Sequence, residues 1–263
     1  MIAKIENPVI ECHDITVVYH NKPAIWNITY GLPKGELIGI IGPNGSGKTT
    51  MLKTIMGLVK PTSGYVRIFG QDLEKVRQRV AYVPQRTSVD WDFPASVFDV
   101  VLMGRYTPKK IFRRSTKHDK EVAMECIHKV QLEKVAHRQI AQLSGGQQQR
   151  VFIARALAQE AELYLLDEPF AGVDAVTENA IISLLKDMKK QGKTILVVHH
   201  DLQTVSEYFD WLVLIHTRLI ASGKTTDVFV PNLLQETFGG KLPILSQVSE
   251  LLKQNEHPVR EKK

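Results

Sequence analysis

The chain lacks the features of a secreted, fibrous or membrane-spanning protein. Only two of its 263 residues are cysteine. Cys12 and Cys126 lie far apart and belong to no CxxC pair, so a disulfide scaffold is excluded and a reducing compartment is expected. No apolar run approaches the roughly 18 residues needed to cross a bilayer. Stretches such as Ile195 to Val198 are of strand length. The first residues, Met1-Ile2-Ala3-Lys4-Ile5-Glu6, place a charge after each short apolar step and do not read as a signal peptide. Internal repeats and low-complexity tracts are also missing. With 43% hydrophobic and 24% charged residues the composition is that of an ordinary globular chain. The net charge of +6 is mild; it is compatible with an anionic partner or surface and specifies neither.

What is present is an alternation of strand and helix patterns. Trp26, Ile28, Tyr30 and Leu32 are separated by Asn27, Thr29 and Gly31, the period-2 pattern of a half-buried strand. Leu37-Ile38-Gly39-Ile40-Ile41 is continuously apolar, as expected of a strand covered on both faces of a parallel sheet. A glycine-rich loop follows, then a helix from about Lys48 to Met56 that Gly57 and Pro61 stop. Residues 163–166, 194–198 and 211–215 read as further buried strands, and Ile181, Leu184, Leu185 and Met188 share one helix face. This alternation predicts an α/β fold with a mostly parallel sheet. Residues 86 to 143 read instead as a polar helical insertion, reaching about residue 160 with the helix that follows. The insertion holds a basic run, Lys109-Lys110-Ile111-Phe112-Arg113-Arg114-Ser115-Thr116-Lys117, which reads as a solvated face or a surface for anionic headgroups. Residues 230 to 263 read as a weakly patterned extension with a frayed end, and 1–263 as a single domain.

Gly42-Pro43-Asn44-Gly45-Ser46-Gly47-Lys48-Thr49 fits G-x-x-x-x-G-K-[ST], after a buried strand and before a helix. The glycines let the backbone curl so that N–H groups converge on phosphate oxygens. Lys48 adds a point charge toward the β- and γ-phosphates, and Thr49 a hydroxyl for Mg²⁺. The helix starting here, with Thr50 in its first turn, aims its positive end at the same place. Leu163-Tyr164-Leu165-Leu166-Asp167-Glu168 is an apolar strand ending in two acids. Ligands of open α/β sheets lie at the carboxyl ends of strands. Asp167 is therefore expected to hold Mg²⁺, directly or through water, and Glu168 to orient and deprotonate an attacking water. Acids at strand ends are commonly just solvated; the pairing with the loop selects the functional reading.

Leu143-Ser144-Gly145-Gly146-Gln147 has the makings of a second anion site, with an N-capping serine, two glycines and a following helix. In isolation it would read as a capped helix start. A chain holding one nucleotide needs one phosphate cradle, so a second suggests service to a nucleotide on another copy.

With these segments in this order, residues 8 to 228 resemble the ATP-binding subunits of ABC transporters. The resemblance implies a P-loop NTPase core, an N-terminal antiparallel β subdomain and an inserted helical subdomain carrying the signature Ser144-Gly145-Gly146-Gln147. It implies ATP hydrolysis with Mg²⁺, coupled to transport. It also implies a head-to-tail homodimer in which one copy's signature closes over ATP held by residues 42–50 of the other. Tyr19 looks like the aromatic that stacks on adenine; a tyrosine on a sheet face is an equal reading. Gln85, after Tyr82-Val83-Pro84, looks like the glutamine that touches Mg²⁺ and the water and links core to insertion. Ala171-Gly172-Val173-Asp174 resembles the loop that passes between subunits. Ala171 departs from the family's frequent serine and is given no hydrogen bond; Asp174 is kept. His200 looks like the histidine that contacts the γ-phosphate. A metal cluster at His199-His200-Asp201 is disfavoured, since adjacent strand residues point to opposite faces. The resemblance also implies membrane permease subunits, an indirect capture protein, no nucleic-acid partner, and a cytoplasmic location on the inner face of the cell membrane.

The stretch Val83 to Pro94, followed by Val97 and Asp99 to Tyr106, resembles the manganese/zinc/iron branch of bacterial metal-ion importers. Trp91 and Phe93 are expected at a groove receiving a short helix of the membrane subunit; a small satellite core is the other reading. Competing classes are an iron-chelate importer, an exporter and a non-transport ATPase of the same superfamily. Too few residues separate Thr49 from Ser144 for the long coiled coil of the DNA-repair type, and one cassette is present rather than the tandem pair of the translation-factor type. A plain P-loop kinase or GTPase would have no use for the signature.

Overall fold

The computed structural model describes residues 2–106 and 114–239. Lys109 to Arg113 of the basic run, and the extension beyond 239, lie outside the described residues. In chain order the elements are β1 (Ile10–Tyr19), β2 (Lys22–Leu32), β3 (Leu37–Ile41), α1 (Lys48–Ile55), β4 (Ser63–Ile68), α2 (Leu73–Val76), β5 (Val80–Val83) and α3 (Val97–Leu102). Then come α4 (Lys117–Lys129), α5 (Gly145–Ala158), β6 (Leu163–Asp167), α6 (Ala175–Lys190), β7 (Thr194–His199), α7 (Val205–Tyr208), β8 (Trp211–His216), β9 (Arg218–Lys224), α8 (Thr225–Val228) and α9 (Pro231–Phe238).

Two sheets form. A six-stranded sheet has the order β5-β6-β7-β3-β8-β9, parallel except for the antiparallel edge strand β9. A three-stranded antiparallel sheet has the order β2-β1-β4. The fold is thus α/β with a mostly parallel core sheet, as the sequence patterns predict, and a separate N-terminal antiparallel sheet, as the family resemblance implies. The continuous apolar run of β3 has a direct structural cause. Leu37 and Ile41 enter the core shared with α3–α6, while Ile38 and Ile40 enter the core shared with β1, β2 and α1. Burying both faces of such a strand contributes about 1.5–3 kcal/mol for each large side chain.

One alternation is broken. Ile28, Tyr30 and Leu32 are buried, but Trp26 is 45% exposed and Ile25 takes the inward position. Asn27 has φ 49°, and two residues of β2, Trp26 and Asn27, oppose the single residue Thr16 of β1 there. This bulge reverses the facing of everything before it. The insertion is less regular than a helical bundle: a short 3₁₀ segment follows α3, and two more, at residues 133–135 and 140–142, lie between α4 and α5. Its helices start from sequence-encoded caps. Ser96 with Asp99, Thr116 with Asp119 and Ser144 with Gln147 each form a reciprocal capping box.

Candidate nucleotide-binding site

The loop after β3 is shaped by what crowds it. Gly47 has φ 99°, and a Cβ there would lie 2.4 Å from Ile25 Cγ2 and 2.6 Å from the Ala24 carbonyl oxygen. A Cβ on Gly42 would lie 2.1 Å from the Ile215 carbonyl oxygen. Neighbouring strands therefore leave room only for backbone at these two positions. Lys48 is buried, and its Nζ donates to the carbonyls of Gly42 and Pro43, both at 2.9 Å, holding the loop in its curl. Burial pushes its pKa down, opposed by Glu168 and Asp167.

The two acids at the end of β6 reach this loop by different routes. Thr49 Oγ1 donates to Asp167 Oδ1 at 2.9 Å. Asp167 is fully buried, and among the described residues neither its Oδ2 nor the buried Ser46 Oγ has a hydrogen-bond partner. Burial raises the Asp167 pKa, with the Thr49 bond acting against it. Glu168 lies just past the strand with φ 50°, a left-handed conformation uncommon outside glycine and frequent at functional sites. Its Oε2 accepts from Gln85 Nε2 at 3.0 Å, which joins the end of β5 to the end of β6. Tyr19, Asn44, Gly45, Lys48, Thr50 and Glu168 line a cleft of about 210 Å³, with Tyr19 exposed at its rim.

The donor set suits Mg²⁺. A buried carboxylate oxygen without a partner, a threonine hydroxyl and a glutamine amide are hard oxygen ligands, and Mg²⁺ typically completes its shell with waters and phosphate oxygens.

His200 follows β7, whose last residue pairs with Ile41 at the start of the loop. It is exposed, and among the described residues no hydrogen bond joins it to the loop. His199 is buried and points elsewhere; its Nε2 pairs with Thr204 Oγ1 at 2.9 Å, and burial lowers its pKa to about 4. The two rings lie 6.0 Å apart.

The signature segment is absent from the cleft's lining among the described residues. Ser144 caps α5: its Oγ accepts from Gln147 N at 3.3 Å, and Gln147 Oε1 accepts from Ser144 N at 3.0 Å. Asp174 caps α6, accepting from Thr177 N at 2.8 Å and from Thr177 Oγ1 at 3.1 Å. A Cβ on Gly146 would come within 3.3 Å of Thr177 Cγ2, so the signature and the 171–177 loop are neighbours.

Sequence reasoning missed two residues here. Arg86 Nε donates to Gln148 Oε1 at 3.1 Å, bridging the Gln85 loop to α5. Their positions, one after Gln85 and one after Gln147, were the available signal. Trp91 takes the satellite-core role: it is half-buried, donates to the Arg86 carbonyl oxygen at 2.9 Å and sits edge-on to Phe152 at 5.1 Å. Phe93 is 52% exposed.

A strand, a glycine loop and a helix, with acids at the end of a parallel strand in the same sheet, define a P-loop nucleotide-binding domain. Residues 25–171 match the ABC transporter family. The chain belongs to that family, as its relatives also show. It is 56% identical over 236 residues to the manganese transport system ATP-binding protein MntB of Bacillus subtilis, covering 90% of this chain and 94% of that protein. It is 53% identical over 233 residues to the zinc transport system ATP-binding protein TroB of Treponema pallidum, covering 89% of this chain and 88% of that one. Among solved structures, a dimeric ATP-binding cassette in a post-hydrolysis state with ADP and Pi superposes with a TM-score of 0.71 at 31% identity. That match covers 82% of this chain and 98% of the other.

Proposed function

We propose that the chain hydrolyses ATP with Mg²⁺ and powers the import of a divalent metal ion, manganese, zinc or iron. The observation that carries the reading is the junction of the phosphate loop with both acids of β6: Thr49 on Asp167, and Gln85 on Glu168. Residues 42–50 cradle the triphosphate through backbone N–H groups, with Lys48 released from its own carbonyls toward the β- and γ-phosphates. Thr49, Asp167 and Gln85 would hold Mg²⁺, whose charge would offset that of the phosphate oxygens. Glu168 takes a proton from the attacking water, Gln85 positions that water, and His200 contacts the γ-phosphate. Tyr19, at the cleft rim, stacks on adenine.

Two copies pair head to tail, with Ser144, Gly145, Gly146 and Gln147 of each closing on the nucleotide of the other, and Asp174 at the seam. The dimeric relative with ADP and Pi supports this arrangement. The metal assignment is supported by relatives whose names specify manganese and zinc transport systems. No helix among the described residues is long and apolar enough to cross a membrane. The relatives are ATP-binding proteins of transport systems, which supports our reading of a path in separate permease subunits, fed by a metal-capture protein. The chain then sits on the cytoplasmic face of the cell membrane. A cleft of about 540 Å³, lined by Leu58, Met103, Tyr106, Arg105 and Arg155, is the surface we assign to a permease helix.

The test is Glu168→Gln. The variant should keep ATP binding, accumulate as an ATP-dependent dimer on size-exclusion chromatography, and lose turnover by about 10²–10⁴-fold. Normal hydrolysis by this variant would remove Glu168 from the base role.

A further inference from the structure

We propose that Arg86 is a positioning residue that locks the Gln85 loop to the signature helix of its own copy. Nucleotide state at one site thereby sets the posture of the segment that closes the other. The inference rests on the two-copy reading above. Gln85 reaches the catalytic end of the sheet, donating to Glu168 at 3.0 Å. Its neighbour reaches the opposite way. Arg86 Nε donates to Gln148 Oε1 at 3.1 Å, and Gln148 Nε2 donates to the Ile140 carbonyl oxygen at 3.1 Å. Gln148 is buried, so losing its donor leaves an acceptor unsatisfied in the interior.

The guanidinium lies against the first residue of α5. A Cβ on Gly145 would fall 2.9 Å from Arg86 Cζ and 3.0 Å from Nη1. The helix dipole opposes a cation at this end, so the contact is not a stabilising cap. It is a directed link, made by a planar fork whose geometry is fixed. The loop between is stiffened on both sides. Ser88 Oγ and Ser88 N both donate to the Gln85 carbonyl oxygen, at 2.7 and 3.0 Å. Trp91 Nε1 donates to the Arg86 carbonyl oxygen at 2.9 Å, and its ring rests on Phe152 of α5. Gln85 and Arg86 are adjacent, so a displacement of one moves the other. A γ-phosphate and its water that draw Gln85 away from Glu168 would pull Arg86, and with it the start of α5.

The experiment compares Arg86→Met, Gln148→Leu, the double variant and Arg86→Lys in the full chain. Three readouts are taken: ATP turnover against ATP concentration, equilibrium binding of a fluorescent ATP analogue to dilute single copies, and thermal unfolding. Arg86→Met and Gln148→Leu should each lower turnover about tenfold and flatten its cooperative dependence on ATP. Single-copy affinity should stay unchanged. The double variant should be no worse than either single, because both break the same link. Arg86→Lys, which keeps charge and a donor, should restore part of the cooperativity and carries the test if the other variants fail to fold. Losses that multiply in the double variant, or variants as cooperative as a cooperative wild type, would overturn the link alone. A non-cooperative wild type would overturn the two-copy reading and the link with it.

Discussion

The phosphate loop and the signature segment are both glycine-containing helix starts, yet their glycines answer to different masters. At Gly42 and Gly47 a side chain would run into backbone carbonyls of the same copy at 2.1 and 2.6 Å. At Gly145 and Gly146 the nearest obstacles are side-chain atoms, at 2.9 Å from Arg86 and 3.3 Å from Thr177, and neither backbone has positive φ. The polar groups differ in the same sense. Around the phosphate loop, Ser46 Oγ and Asp167 Oδ2 are buried without partners among the described residues. In the signature, Ser144 and Gln147 satisfy each other. One region is built around something it does not itself contain. The other has its own two polar side chains satisfied within the copy.

Substitution by alanine should separate the two sharply. Gly47→Ala demands a left-handed alanine with a Cβ inside van der Waals contact of Ile25 and Ala24. It should lower the unfolding free energy by about 3 kcal/mol and abolish nucleotide binding, read by denaturant melts and analogue titration. Gly146→Ala should alter stability by less than about 1 kcal/mol, because a helical alanine is favoured over glycine and Thr177 has only to shift by tenths of an ångström. It should nevertheless prevent the ATP-dependent dimer. Equal losses of stability in both variants would erase the distinction.

The unpartnered oxygen of Asp167 gives a test of opposite sign. Asp167→Asn removes a buried charge that the Thr49 bond and the nearby Lys53 and Lys48 offset only in part, and should stabilise the nucleotide-free protein by about 1–2 kcal/mol at neutral pH while weakening Mg²⁺-dependent nucleotide binding. The pH dependence follows from linkage. The folded pKa of Asp167 is raised, so between the unfolded and folded values the native state binds more protons. Stability from this group is greatest at acid pH and is lost as pH rises through the folded pKa. The advantage of Asp167→Asn should therefore shrink as pH falls through the raised folded pKa toward the ordinary carboxylate value, and be gone below it. Thermal melts of both proteins across pH, without nucleotide, read the difference directly.

The two regions were also unequally legible in the sequence. The β3 strand, the loop and α1 follow from local signals: an apolar run, a glycine spacing and a helix stop, each acting within a few residues. The order of strands in the parallel sheet rests on pairings between distant segments, and the break in alternation at Trp26 depends on a bulge at Asn27 that no composition marks. The left-handed conformation of Glu168 is likewise imposed by the turn after β6 rather than by its residue type. Arg86 and Gln148 escaped notice because their link spans 62 positions and each is, locally, an ordinary polar residue beside a motif. Motifs announce what they bring to a ligand; the contacts that hold them in posture are distributed across the fold.

The smallest expected effect is at Ser144, and it sharpens the contrast because the same atom has two uses. In the separate copy its hydroxyl caps α5, so Ser144→Ala should cost about 1 kcal/mol in unfolding free energy. Ser144→Asp retains a side-chain acceptor for the Gln147 N–H and should recover that stability. If capping were the whole role of the residue, the aspartate variant would recover turnover as well. If the hydroxyl also faces a phosphate on the other copy, the added negative charge repels it, and turnover stays low while the melt returns to the wild-type value. Measuring unfolding and ATP turnover on the same two variants distinguishes a helix cap from a helix cap that doubles as half of a nucleotide site.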